Sequence, residues 1–329
     1  MILAGDIGGT NARIAIFEVD DRRPKLVCER IYPTREHRSL ESALSEFLSA
    51  NPSAGIRAAC FGIAGPVRNG RALMPNLGWT VDSASLAWLV KIDRVGIVND
   101  LEANAWGIAL LEDKDFAVLN AGAPDPSGNA AVISPGTGLG EAGLYFDGRT
   151  LRPFACEGGH TDFAPADELQ TEMLSWMRKR FGHVSWERVL SGQGIVNIYR
   201  FLRETGRAEE PDWLARDLER GNAPAVITDA ALEGKSRLCE LAFEVMVAAL
   251  GAEAANLALK VMATGGIFIG GGIAPRIVAK LREPAFMRSF TNKGRMGDML
   301  AAIPVKVILN DSTALFGAAR AAALSAGML

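Results

Sequence analysis

Apolar and polar positions change period several times along this 329-residue chain. The first run, Ile2 to Gly5, is short and apolar. Asp6-Ile7-Gly8-Gly9-Thr10 follows, and then Ala12 to Val19, which is β-branched and partly alternating. That pattern reads as strand, glycine turn, strand, which is a β-hairpin. The construction recurs later: a strand over Ala130 to Ile133, a turn over Gly136 to Gly140, and a strand over Ala142 to Phe146. Asp147-Gly148-Arg149 then reads as another hairpin turn. Between the two hairpins the period changes. Val95 to Val98 predicts a short buried strand, and Ala105, Ile108 and Leu111 mark a helical face from Leu101 on. Residues 168–260 are mostly helical in pattern, with turn signals near Gly192, Gly206 and Gly221. Residues 265–281 read as strand, triple-glycine turn, helix, and residues 305–324 as strand, polar turn, helix. Mixed strands and helices, with a hairpin leading each half, predict α/β layers. The repeat is one of architecture and not of sequence.

The strand after Gly9 narrows the choices. A dinucleotide fingerprint or a Walker loop needs a helix directly after its glycines, so an oxidoreductase of that kind is disfavoured. Hydrophobic residues make up 49% and charged residues 22%, which fits a globular enzyme with large cores. The formal net charge of −3 gives no basic surface for a phosphodiester backbone, so no nucleic-acid partner is expected. Cys28, Cys60, Cys156 and Cys239 are far apart and form no C-x-x-C, which predicts neither zinc nor disulfides and fits a reducing cytoplasm. The first apolar run is broken by Asp6 with no basic region before it, unlike a signal peptide. The longest uncharged apolar stretch, Val261 to Pro275, contains five glycines and is too short for a membrane helix.

Several residues could carry chemistry, and each has a plainer alternative. Adjacent glycines let backbone N–H groups approach an anion closely, and Thr10 and Thr137 can each add a hydroxyl. Asp6 could hold a phosphate-bound Mg²⁺ through water. The plainer reading is two ordinary hairpin turns. Asn99 fits a helix N-cap, with Glu102 at capping-box spacing. The functional reading puts Asp100 at the carboxyl end of a strand, where α/β sheets bind ligands and where a carboxylate could take a proton from a hydroxyl. In Cys156 to Pro165, Glu157 and His160 have metal-pair spacing. The two glycines between them argue against a helix, and a polyol is a better match than a metal. An ordinary polar loop would look the same. Cys156 is read as a buried structural cysteine.

Taken together these segments resemble the bacterial glucokinase family of the sugar-kinase, actin and heat-shock ATPase superfamily. The segments are GDIGGTNARIAI at 5–16, GIAGPV at 62–67, PNLGW at 75–79, VNDLEANAWGI at 98–108, SPGTGLGEAGLY at 134–145, EGGHTDFAP at 157–165, ERVLSGQGIVNIYR at 187–200 and GGIAPR at 271–276. They follow the family's order over nearly the whole chain. The resemblance implies an α/β fold of two ribonuclease-H-like (actin-like ATPase) domains flanking a deep cleft. A small domain of residues 1–105 plus about 305–329 and a large one of 106–304 are expected.

The resemblance also implies ATP- and Mg²⁺-dependent phosphorylation of glucose at the 6-hydroxyl. Asp100 falls on the general base, and Asn99, Asp100, Glu157, His160 and Glu187 fall on the sugar contacts. Gly5, Asp6, Ile7, Gly8, Gly9 and Thr10 fall on the first phosphate loop, with Asp6 near Mg²⁺, held through water. Gly136, Thr137 and Gly138 fall on the second loop, and Gly271 and Gly272 near the adenosine. Related ROK proteins carry a cysteine-rich zinc segment after the Gly-His pair. Here Thr161-Asp162-Phe163 follows and the next cysteine is Cys239, so no zinc is expected. No DNA-binding domain like that of ROK repressors is expected ahead of Asp6. A cytoplasmic homodimer without membrane partners completes the expectation. Another hexose or amino sugar as acceptor, polyphosphate as donor, and a non-catalytic sugar sensor on the same fold stay open.

Overall fold

A computed structural model describes residues 1–52 and 55–329. The chain divides into two compact units. The first comprises Met1–Asp115, Arg152–Ala155 and Asn310–Leu329, and the second Phe116–Leu151 and Cys156–Leu309.

The first unit is built on the opening hairpin. Strands β1 (Ile2–Ile7) and β2 (Asn11–Asp20) pair antiparallel, with Asp6 opposite Arg13. β3 (Arg23–Pro33) extends the β2 edge. On its other side β1 pairs in parallel with β4 (Ala58–Ile63). A small antiparallel sheet of β5 (Val67–Arg68), β6 (Arg71–Met74) and β7 (Trp79–Asp82) comes next. β8 (Val95–Asn99) then returns to pair in parallel with β4. Alternation sorts the side chains. Leu3, Ile7, Ile14, Phe61 and Ile63 pack with Leu44 and Phe47 of helix Leu40–Ala50. Ile2, Ala4, Phe17, Ala58 and Cys60 pack with Leu315, Ala319 and Ala323 of helix Thr313–Ser325. Helices on both faces explain why β1 and β4 read as nearly continuous apolar runs. A glycine fixes one close approach: a Cβ on Gly317 would come within 1.7 Å of the Ala103 carbonyl oxygen, so helix Asp100–Ile108 meets the C-terminal helix backbone to backbone.

The second unit repeats that arrangement. After β9 (Phe116–Asn120), strands β10 (Ala130–Pro135) and β11 (Leu139–Phe146) form an antiparallel hairpin. β12 (Leu151–Cys156) follows in sequence. β13 (Gly266–Ile269) pairs in parallel with β10, and β14 (Val305–Ile308) in parallel with β13. The order β11-β10-β13-β14 thus matches β2-β1-β4-β8, and β9 adds an antiparallel edge. The architectural repeat read from the two glycine turns is therefore a repeat of sheet topology. The inserted region is helical, as its pattern predicted. Helix Arg237–Val261 runs through the core, where Phe243, Leu250 and Leu257 are buried with Tyr199 and Phe201 of helix Gly192–Glu204. Among the described residues no helix is long and apolar enough to cross a membrane.

Candidate functional site

In the first unit, three parallel strands end side by side at polar residues. Asp6 of β1 pairs across to Gly62 of β4, and Gly62 to Val98 of β8, one residue before Asn99. Gly62 is small for a packing reason, since a Cβ there would lie 2.8 Å from the Ala103 Cβ. Asn99 caps helix Asp100–Ile108: its Oδ1 accepts from the Leu101 N–H at 2.8 Å, and its Nδ2 donates to the Gly65 carbonyl at 3.1 Å. The expected capping box does not form, because the cap closes on Leu101 and not on Glu102. Asp100, the first residue of the helix, also accepts from the Leu101 N–H, at 3.0 Å. Its carboxylate lies where the helix dipole favours negative charge. The helix stops at Ile108, short of the predicted Leu111, and Gly107 meets the Thr313 carbonyl just before that end.

Asp6 stands in a mixed electrostatic field. Burial and the charge of Asp100 push its carboxyl up to about 6, Arg13 pulls the other way, and Asp311 adds to the rise. Arg13 in turn donates to Ser312 Oγ at 2.8 Å and to Asp311 Oδ2 at 3.4 Å, and pairs with Glu29 at 3.3 Å. That contact holds the Asp311 carboxyl below its ordinary value. Arg13, Asp311 and Ser312 were not singled out from sequence. The available signal was a lone arginine within the apolar alternation of β2.

The turn after Asp6 uses one of its own donors. The Gly8 N–H donates to the Asn11 carbonyl at 2.9 Å, and the Gly9 carbonyl accepts from Thr34 Oγ1. Among the described residues the N–H groups of Gly9 and Thr10 find no acceptor. A Cβ on Gly9 would meet no protein atom within 4 Å, and its φ is not positive, so neither packing nor conformation requires glycine there. Gly5 and Ile7, expected with this loop, are buried in β1. A Cβ on Gly5 would clash with the Phe61 ring at 2.5 Å.

In the second unit the other turn is held by different partners. The Gly136 N–H donates to the Gly138 carbonyl at 2.8 Å, and the Gly136 carbonyl accepts from the Gly192 N–H at 2.9 Å. Glu187 Oε2 accepts from the Leu139 N–H at 3.1 Å and would sit 2.5 Å from a Cβ on Gly138. Thr137 is exposed, and the N–H groups of Thr137 and Gly138 find no acceptor among the described residues. Gly271, at φ +80°, lies against the Pro135 carbonyl, so the triple-glycine turn adjoins this hairpin, and Gly272 is open.

Glu157 and His160 flank a 3-10 turn over Gly158–His160, where the sequence reading had a flexible loop. Their side chains are exposed and 4.0 Å apart. Gly159 lies directly over the Leu139 carbonyl, where a Cβ would come within 2.2 Å. Leu139 therefore ties Glu187, the second glycine turn and the Glu157–His160 turn into one cluster. Cys156 is exposed, contrary to the buried residue expected. Desolvation around its sulfur still raises the thiol, which makes it a poor nucleophile.

No group of three or more His, Cys, Asp or Glu residues that could hold a metal occurs among the described residues. The donor set around Asp6 has a different character. Asp100 and Asp311 both act on Asp6 as negative charges, against the one guanidinium of Arg13, which leaves excess negative charge. Such a place suits a hydrated cation held mainly by another ligand's oxygens.

The glucokinase family profile matches residues 3–325. A glucokinase of Nostoc sp. is 40% identical, with 98% of this chain and 99% of that one covered. The crystal structure of a glucokinase from an Antarctic psychrotroph is 32% identical and superposes with a TM-score of 0.86 over 98% of each chain. A ROK-family glucokinase from Streptomyces griseus, solved in complex with glucose and AMPPNP, shares the fold at 21% identity, with a TM-score of 0.64 over 98% of this chain and 99% of that one. On the full-length match and the shared α/β sheet repeat, this chain belongs to the glucokinase family.

Proposed function

We propose that this chain transfers the γ-phosphoryl group of ATP to the 6-hydroxyl of glucose. The observation that carries the reading is the meeting of Asp6, Asp100 and the open Gly9–Thr10 amides at the carboxyl ends of parallel strands. Phosphoryl transfer asks a protein for positioning and charge stabilisation more than for covalent chemistry. Asp100 is the general base that takes the 6-hydroxyl proton as that oxygen attacks. The amides of Gly9 and Thr10, like those of Thr137 and Gly138, can hold phosphate oxygens without a side chain in the way. Asn99, Glu157, His160 and Glu187 hold the sugar hydroxyls, with Asn99 and Glu187 already oriented by the bonds described above. Gly271 and Gly272 leave room for the adenosine. Asp6 would hold Mg²⁺ through water, and the ion when bound would neutralise polyphosphate charge.

The family resemblance extends the proposal to a cytoplasmic homodimer, which light scattering of the purified chain tests. The activity itself is tested by coupled ADP release with ATP and Mg²⁺ over a panel of glucose, mannose, fructose and N-acetylated amino sugars. Turnover highest with glucose supports the proposal. A preference for another sugar moves the acceptor, and no turnover with any sugar favours a sugar sensor on this fold.

A further inference from the structure

Beneath the Glu157–His160 turn lies a buried carboxyl pair that the proposed reaction does not use. Glu141 on β11 is 2% exposed, and Glu253 on helix Arg237–Val261 is 0% exposed. Each leaves its Oε1 without a hydrogen-bond partner among the described residues. Two ionised carboxylates have no donor to offer each other. A single proton turns these two orphan atoms into one donor and one acceptor. The surroundings decide which residue carries it. Glu253 faces cations and a donor: Lys260 Nζ lies 3.6 Å from its Oε1, and Asn256 Nδ2 donates to its Oε2 at 2.7 Å. Lys293 Nζ backs that contact by donating to Asn256 Oδ1 at 2.7 Å. Glu141 has desolvation and the Glu253 charge against it and only Lys260 in its favour, so its carboxyl is pushed up to about 8. Burial raises the Glu253 carboxyl too, but Asn256, Lys260 and Lys293 pull it back, so Glu141 keeps the proton and Glu253 the charge.

The far side of the Glu141 carboxyl is the floor of the turn. A Cβ on Gly158 would lie 1.8 Å from Glu141 Oε2 and 2.7 Å from its Cδ. No atom fits between that carboxyl and the backbone joining Glu157 to His160. We infer that Glu141 is a positioning residue for glucose: as the neutral acid bonded to Glu253 it seats the Glu157–His160 turn, and its ionisation unseats the turn and weakens sugar binding. The inference rests on reading Glu157 and His160 as glucose ligands. The sign follows from the acid's state. Glu141 is neutral below about pH 8 and acquires a second buried negative charge above it. Water must then reach the pair, and the turn above is what it displaces.

The test measures glucose KM and kcat of the full chain from pH 6.5 to 9.5 at saturating MgATP. In the wild type, glucose KM rises by up to about tenfold per pH unit above the Glu141 titration, while kcat changes less than about twofold. Cys156, whose thiol is raised, and Lys293, whose ammonium is lowered, are the other titratable groups near the pair. Glu141→Gln keeps both groups and can donate to Glu253, yet cannot ionise. Its KM stays near the neutral-pH wild-type value throughout. Glu141→Leu, also unable to ionise, gives a flat profile too, at a higher KM. A wild-type KM flat with pH, or an alkaline rise retained in either variant, overturns the inference. Glu157→Gln in the same assay separates the two readings. If it leaves glucose KM unchanged, the sugar site is wrong. If it raises KM while the Glu141 profiles fail, only the role of Glu141 is wrong.

Discussion

The two glycine turns occupy the same place in two copies of one sheet arrangement, yet their surroundings differ. The Gly8–Thr10 turn is open: a side chain on Gly9 would touch nothing, and carboxylates surround the strand end before it. The Gly136–Gly138 turn is clamped by Glu187, Gly192 and Leu139, and the preceding strand ends in Ser134 and Pro135 instead of an acid. Each closes itself with one N–H bond and leaves two amides over. Equivalent places in the sheet thus have two settings. One is acidic and suited to a cation with a proton acceptor, and the other is packed against Glu187 and close to the exposed Glu157 and His160.

The sharpest test of the acidic setting is Asp100→Asn, which is expected to lower kcat by about 10²–10⁴ with glucose affinity within about tenfold. Steady-state kinetics beside equilibrium glucose titration measures both, and unchanged turnover removes Asp100 as the base. Gly138→Ala probes the clamped turn. The added methyl meets Glu187 Oε2 at 2.5 Å, and a stability loss of about 1–3 kcal/mol is expected from denaturant melts. Asp6→Asn reads the field around Asp6. Its folded carboxyl titrates near 6 against an ordinary 3.8, so the folded chain holds a proton that the unfolded chain has released between those values. Stability therefore falls as pH rises from about 4 to 6, and Asp6→Asn is about 1–2 kcal/mol more stable at pH 7, with no gain below about pH 4. Equal stability at pH 7 would contradict the crowding of negative charge. The smallest effect is expected from Gly9→Ala: folding stability unchanged within about 0.5 kcal/mol, with a raised KM for ATP and an unaltered KM for glucose. If Gly9→Ala destabilises as much as Gly138→Ala, the contrast between the turns fails.

Much of the local structure was legible because its causes are local. Period-two alternation on either side of glycines gave both hairpins, and the period change after Asn99 gave the helix and its cap. Details set by partners elsewhere were missed. Cys156 read as buried from residue type alone, yet its strand leaves it exposed. Glu102 had capping-box spacing, but the Asn99 Oδ1 accepts from the Leu101 N–H and its Nδ2 donates to the Gly65 carbonyl. Gly5 belonged to the glycine-rich opening by sequence, whereas the Phe61 ring beside it makes it a packing residue.

The sequence by itself determined where strands turn, where helices begin, and which residue types stand at those junctions. Each follows from backbone freedom and side-chain period over a few neighbouring residues. Tertiary structure alone decided what each junction faces. Gly62 of β4 lies between the strand ends that carry Asp6 and lead to Asp100, Arg13 meets Asp311 and Ser312 from the far end of the chain, and Glu141 lies between Glu253 and Gly158. Charge and proton affinity depend on distance and burial in space, and separation along the chain fixes neither.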